Sequence, residues 1–186
     1  MGLGRTLKVL NGMVADDVIR RYAVAGAIAA TRYLEPMSTD DVDILVSFNS
    51  DSPLVTLKPI VEYLAAKGYT EWRKEGLLVE GWPVQFLPVA DSLDQEALDQ
   101  AEKVDEDFRE EGVVPVWFMR PEHLVATAVR TKRHKDYLRV NAFLEEGAVD
   151  LDKLRDVVTR HRLEADWALF CQKSGRRDPL DKKCDP

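Results

Sequence analysis

The stretch Thr39-Asp40-Asp41-Val42-Asp43-Ile44-Leu45-Val46 constrains the fold more than any other part of the chain. It reads as a β-strand that leaves a polar turn and enters an apolar core. Asp41 and Asp43 are two residues apart, so on a strand both carboxylates face one side. Val42, Ile44 and Val46 then face the other. Like charges held side by side repel, and a sheet gains nothing from the pair unless something neutralises it. A divalent cation with oxygen ligands is the usual neutraliser. The plainer alternative makes Asp40 and Asp41 turn residues, with Asp43 alone entering the strand.

The residues before this stretch bear on the choice. Tyr22-Ala23-Val24-Ala25-Gly26 reads as a short apolar strand ending in glycine, and residues 27–34 as a short helix that Pro36 cannot continue. A strand–glycine–helix turn presents free N–H groups at the helix start, and glycine lets a ligand approach the backbone closely. Such a turn can hold a phosphate. Beside two strand-borne aspartates it forms a phosphate cradle next to a metal cradle, which is what a nucleoside triphosphate with magnesium requires.

The rest of the chain frames that unit. Leu3, Leu7, Leu10, Met13, Val14 and Val18 recur at helical spacing over residues 3–21, with Asn11-Gly12 weakening the middle. Leu54, Leu57, Ile60, Val61 and Leu64 form one face of a helix over 54–67, which Gly68 ends and in which Pro59 sits awkwardly. Residues 77–79 and 83–87 flank Glu80-Gly81-Trp82 as a tight hairpin. Residues 93–104 read as an acidic helix, 105–112 as a charged connection and 113–119 as a strand. From Pro121 onward the pattern is helical: a helix opened by Pro121 and carrying Leu124, Val125, Ala128 and Val129, then helices over 135–145, 151–160 and 163–172. The domain reading is an α/β core over 1–120, a helical region over 121–173 packed on it, and a disordered tail over 174–186.

Composition narrows the class. The chain of 186 residues is 45% hydrophobic and 32% charged, as suits a globular protein with a sizeable core. No apolar run reaches the roughly eighteen residues of a membrane-spanning helix. Cys171 and Cys184 lack zinc spacing and are too few for a disulfide framework, so the expected compartment is the cytoplasm. A net charge of −7 argues against broad nucleic-acid binding, yet Arg130, Lys132, Arg133 and Lys135 form a local basic cluster. That cluster suits a triphosphate or an RNA acceptor, and equally a solvated helix end. Asp136 suits a pairing role beside it. His123, His134 and His161 show no metal-ligand spacing and suit surface or capping roles. The four tryptophans, at 72, 82, 117 and 167, suit core or hairpin packing.

Together, Val24-Ala25-Gly26 and Asp41-Val42-Asp43-Ile44-Leu45-Val46 resemble the polymerase-β-like nucleotidyltransferase superfamily. Within it, the stretch from Tyr22, the helix opened by Pro121-Glu122-His123-Leu124, and Arg133-His134-Lys135-Asp136 resemble small prokaryotic AbiEii-type and toxin–antitoxin nucleotidyltransferases. The resemblance spans most of residues 8–165. It implies an α+β fold, a mixed β-sheet flanked by helices and followed by a helical bundle. It also implies two-metal nucleotidyl transfer. Asp41 and Asp43 would hold Mg²⁺ or Mn²⁺, while Ala25, Gly26, Ala27, Arg133 and Lys135 would bind the nucleotide. The acceptor implied is an RNA, a protein or a small molecule.

The chain departs from that pattern in four places. Gln85, in Val84-Gln85-Phe86-Leu87, stands where a third catalytic acid is expected, and it supplies neither charge nor base. Ala25 replaces the first glycine of a Gly-Gly pair, Ala128 a common lysine, and Arg139 a frequent aspartate. An enzyme built this way would recruit another acid, such as Glu80 or Asp91, or work weakly or with a single metal. The departures also suit a catalytically inactive module that binds a protein partner, for example in a toxin–antitoxin or defence pair.

Overall fold

Residues 2–36, 38–49 and 56–181 are described by a computed structural model. The chain begins α1 (Leu3–Ala15), β1 (Arg21–Val24), α2 (Gly26–Ala30) and β2 (Val42–Ser47). It continues α3 (Lys58–Ala66), β3 (Trp72–Arg73), β4 (Gly76–Val79), β5 (Trp82–Pro88), α4 (Ser92–Asp99), β6 (Glu102–Phe108) and β7 (Gly112–Phe118). Four helices follow: α5 (Pro121–Thr131), α6 (His134–Glu145), α7 (Leu151–Arg160) and α8 (Glu164–Lys173). The chain divides into two units, residues 1–29 with 37–119 and residues 30–36 with 120–186. No helix among the described residues is long and apolar enough to cross a membrane.

The first unit is built on a seven-stranded mixed sheet in the order β3-β4-β5-β2-β1-β7-β6. β2 is central, antiparallel to β1 and parallel to β5. Register partners share a face. Tyr22 opposite Val46, Val24 opposite Ile44 and Val42 opposite Val84 make one face apolar, and all six are buried. Helix α1 covers this face. Tyr22 donates to Asn11 Oδ1 at 2.8 Å, Asn11 Nδ2 donates to the Pro115 carbonyl at 2.9 Å, and Thr6 Oγ1 donates to the Val79 carbonyl at 3.0 Å. Asn11 thus breaks the helical apolar pattern because it ties α1 to the sheet. Burial pushes the Tyr22 phenol well above its ordinary range. The opposite face carries Ala23, Asp43, Leu45 and Gln85, and α4 packs against its β1–β2 part.

Several elements differ from the sequence reading. Helix α1 stops at Ala15, and Asp17 takes φ 60° in the turn toward β1. Helix α3 starts at Lys58, so Pro59 sits in its first turn, where a missing N–H costs nothing; Leu54 lies outside the described residues. The acidic helix ends at Asp99, and residues 102–108 form the edge strand β6. Exposed Lys103, Asp105 and Asp107 alternate along β6 with half-buried Val104, Glu106 and Phe108, as suits an edge that must not pair with other chains. Trp72 is 52% exposed on the other edge strand, β3, rather than packed.

The second unit holds helices α5 to α8. Its polar hub is Asp136, 2% exposed in the first turn of α6. Thr131 Oγ1 donates to Asp136 Oδ2 at 2.7 Å, Arg133 Nε at 2.6 Å, and Arg139 Nη1 lies 3.7 Å from Asp136 Oδ1. His123 is buried at 1% exposure inside α5, which corrects the expected surface or capping role. His134 opens α6 and His161 follows α7 at its C-terminus. Within the segment after α8, expected to be a disordered tail, residues 174–181 are described and make specific contacts. Trp167 Nε1 and the Leu180 N–H both donate to Asp178 Oδ1, at 2.7 and 2.8 Å, and Leu180 is buried. Cys184 lies outside the described residues. Burial pushes the Cys171 thiol up to about 11, so the group is an inert core side chain at neutral pH.

Asp136→Ala removes the acceptor shared by Thr131 and Arg133 and the ion-pair partner of Arg139. Charged hydrogen bonds of this kind contribute about 1.5–3 kcal/mol. Urea unfolding is expected to show a stability loss of about 2 kcal/mol at unchanged m-value.

Candidate functional site

The candidate site lies at the N-terminal end of β2, on the face opposite α1. Asp43 and Gln85 are direct register partners across the parallel β2–β5 pair, so their side chains leave the same face at adjacent positions. Both are half-buried. Asp41 precedes the strand, also half-buried, and its Oδ1 accepts from Thr39 Oγ1 at 2.9 Å. Thr39 therefore fixes the carboxylate that the strand does not.

The β1–α2 turn meets this end of β2. The Ala25 N–H donates to the Asp43 carbonyl at 2.8 Å, continuing the β1–β2 ladder. Gly26 follows at φ 58°. A Cβ built there would lie 2.0 Å from Asp43 Oδ2 and 2.8 Å from its Cγ. Side chains are thus excluded from Gly26 twice, by the left-handed backbone and by the carboxylate occupying that space. Ala25 is buried beside it, and Ala27 is the next residue of α2.

The substitutes considered for the third acid have other partners. Glu80 accepts from the Tyr69 hydroxyl, which pushes that phenol up to about 12. It occupies the β4–β5 turn with φ 51° and Gly81 at φ 89°, a tight hairpin of the expected kind. Asp91 caps α4, accepting from the Asp94 N–H at 3.0 Å.

An acid that the sequence reading did not single out lies beside Gln85. Gln85 Nε2 donates to Glu75 Oε2 at 3.0 Å. Glu75 is in the two-residue turn between β3 and β4, and Gly76 lets that turn come close. A Cβ on Gly76 would lie 3.0 Å from the Pro83 carbonyl carbon and from the Val84 nitrogen. The signal available in the sequence was Arg73-Lys74-Glu75-Gly76, a turn sequence just ahead of the recognised hairpin.

Asp41, Asp43 and the Gln85 amide offer hard oxygen donors, which fit magnesium or manganese. Among the described residues, no three His, Cys, Asp or Glu side chains converge on a common metal position. The oxygen donors at this end of β2 are Asp43 and the Gln85 amide on one face, with the Asp41 carboxylate just ahead of the strand.

The basic cluster belongs to the second unit. Lys132 ends α5 at φ 59°, and Asp166 on α8 lies 2.7 Å from its Nζ and raises its pKa. Arg133 is committed to Asp136. Lys135 is exposed in the first turn of α6.

No protein-family model and no curated protein sequence matches the chain. Among solved structures it resembles an antigenic nucleotidyltransferase-like protein from Paracoccidioides brasiliensis. The two are 15% identical over 92% of this chain and 88% of that one, with a TM-score of 0.54. A solution structure of the antibiotic-resistance factor ANT(2'')-Ia aligns at 14% identity over 92% of this chain and 98% of that one, with a TM-score of 0.47. A crystal structure of ANT(2")-Ia with adenylyl-2"-tobramycin aligns at 16% identity over 86% and 98%, with a TM-score of 0.45. The first of these likenesses establishes the fold as nucleotidyltransferase-like, the expected α+β class.

Gly26→Ala is expected to displace the Asp43 carboxylate and to cost at least the roughly 1–2 kcal/mol of a left-handed non-glycine residue. Thermal unfolding measures that loss. A crystal structure of the variant is expected to show Asp43 moved off its position opposite Gln85.

Proposed function

We propose that this chain binds a nucleoside triphosphate with Mg²⁺ or Mn²⁺ and transfers the nucleotidyl group to an acceptor hydroxyl. The observation that carries the reading is the meeting of Gly26 and Asp43. The glycine turn suited to phosphate and the aspartate suited to a cation share one space at the head of β2.

Bound there, the divalent ion would neutralise the triphosphate and polarise its α-phosphate. Asp41 and Asp43 are the residues that would hold it, with Thr39 keeping the Asp41 carboxylate in place. The backbone from Ala25 to Ala27 would approach the phosphates, which the missing side chain at Gly26 permits. Lys135, exposed on α6, is the cation of the basic cluster best suited to a phosphate, since Arg133 is engaged by Asp136. Gln85 carries no charge and takes no proton, so deprotonation of the acceptor falls to another group. RNA, protein and small-molecule hydroxyls are the acceptor classes to screen.

A second reading is a nucleotide-binding module without turnover that acts on a protein partner, as in a toxin–antitoxin or defence pair. The uncharged Gln85 favours it.

Titration calorimetry with each nucleoside triphosphate and Mg²⁺ is expected to give saturable heat with at least one. Asp43→Asn is expected to weaken that binding by about tenfold, roughly 1.4 kcal/mol. Silence with every nucleotide, or an unchanged affinity in Asp43→Asn, overturns the proposal. Transfer of an α-labelled nucleotide by the wild type, abolished in Asp41→Ala, decides for the enzyme. Transfer that appears only in Gln85→Asp decides for the module without turnover.

A further inference from the structure

An amide side chain has two distinct ends, and the hydrogen bond made by one end aims the other. Gln85 lies between β4 and β2 in the strand order β3-β4-β5-β2. The β3–β4 turn approaches it from one side, and Asp43 is its register partner on the other. Its Nε2 donates to Glu75 Oε2 at 3.0 Å. A carboxylate can only accept, so the nitrogen must face Glu75 and Oε1 must turn away from it.

We propose that Glu75 is a positioning residue that aims Gln85 Oε1 toward Asp43, making the amide oxygen a neutral third ligand of the cation held by Asp41 and Asp43. The inference rests on the reading that this end of β2 binds a divalent ion.

Carboxylates that orient metal ligands from behind are a general feature of metal sites, and removing them lowers metal affinity by roughly 10–100-fold. With Glu75 absent, the amide can rotate and donate its N–H to the Asp43 carboxylate. That bond would occupy an oxygen the cation needs. A neutral ligand at Gln85 leaves the site one negative charge short of what a carboxylate there would give, so a second cation is attracted less strongly. The expected occupancy is therefore a single ion.

Mn²⁺ titration followed by electron paramagnetic resonance of the free ion reads this directly, without turnover. It is run on the full chain with and without a non-hydrolysable nucleoside triphosphate. The wild type is expected to bind one Mn²⁺. Glu75→Ala is expected to bind about tenfold more weakly at an unchanged melting temperature. Glu75→Gln keeps an acceptor facing Gln85 and is expected to stay within about threefold of the wild type. Gln85→Leu is expected to lose as much as Glu75→Ala, and the double variant no more than either, because both substitutions remove one interaction.

Unchanged affinity in Glu75→Ala overturns the inference and leaves the nucleotide-binding reading standing. Equal losses in Glu75→Gln and Glu75→Ala overturn it too, since the carboxylate's charge would then be acting rather than its aim. Absence of Mn²⁺ binding by the wild type under both conditions overturns both readings together.

Discussion

The head of β2 depends on a missing carbon atom. Gly26 leaves free the space that Asp43 Oδ2 occupies, where a Cβ would lie 2.0 Å away. The Ala25 N–H bonded to the Asp43 carbonyl fixes the two segments at that separation, so neither can retreat to make room. Everything downstream of the contact follows from strand register. With β2 held against β1, its parallel pairing with β5 sets Asp43 against Gln85. A slip of one residue would turn Asp43 to the face covered by α1 and put Val42 or Ile44 on the open side. The six buried apolar partners on the α1 face forbid that slip.

Acidic residues are numerous here, and their surroundings separate their roles. Asp136 is buried and answered from within its own unit by Thr131, Arg133 and Arg139, as a structural carboxylate must be. Asp91 and Asp150 cap α4 and α7. The charges of β6 protect an edge. Asp43 and Glu75 differ in flanking the Gln85 amide at the end of a central strand, half-buried and exposed respectively, with Asp41 just ahead of that strand. Gln85 links the arrangement, because its amide donates to one acid while lying beside another.

Much of this was legible from local pattern. The helix opened by Pro121 begins where that residue places it, and the ends of the three helices after it fall within one residue of the reading. The hairpin at Glu80-Gly81 was legible from turn chemistry, and β2 from the alternation of Val42, Ile44 and Val46, although of the two aspartates Asp43 alone lies within it. Three features were hidden for identifiable reasons. β6 was masked because a charged edge strand carries few apolar residues, so its period of two was weak against the helical pattern of Leu93, Ala97 and Leu98. Burial of His123 depends on what surrounds α5, which no local signal carries. Glu75 belongs to a hairpin whose first strand is only two residues long, too short to register as a strand.

The sequence by itself determined that a strand entered through Asp41 and carrying Asp43 follows a strand–glycine–helix turn, and that Val42, Ile44 and Val46 make one face of that strand apolar. These are matters of residue type and of spacing along the chain, and spacing fixes which side chains share a face. Only the tertiary structure decided that Gly26 is required by the Asp43 carboxylate, that Asp43 and Gln85 are direct partners, and that Glu75 reaches the amide. Those facts depend on the register between strands and on the approach of a separate hairpin. Contacts between residues 17, 42 and 10 positions apart are set by packing rather than by local pattern.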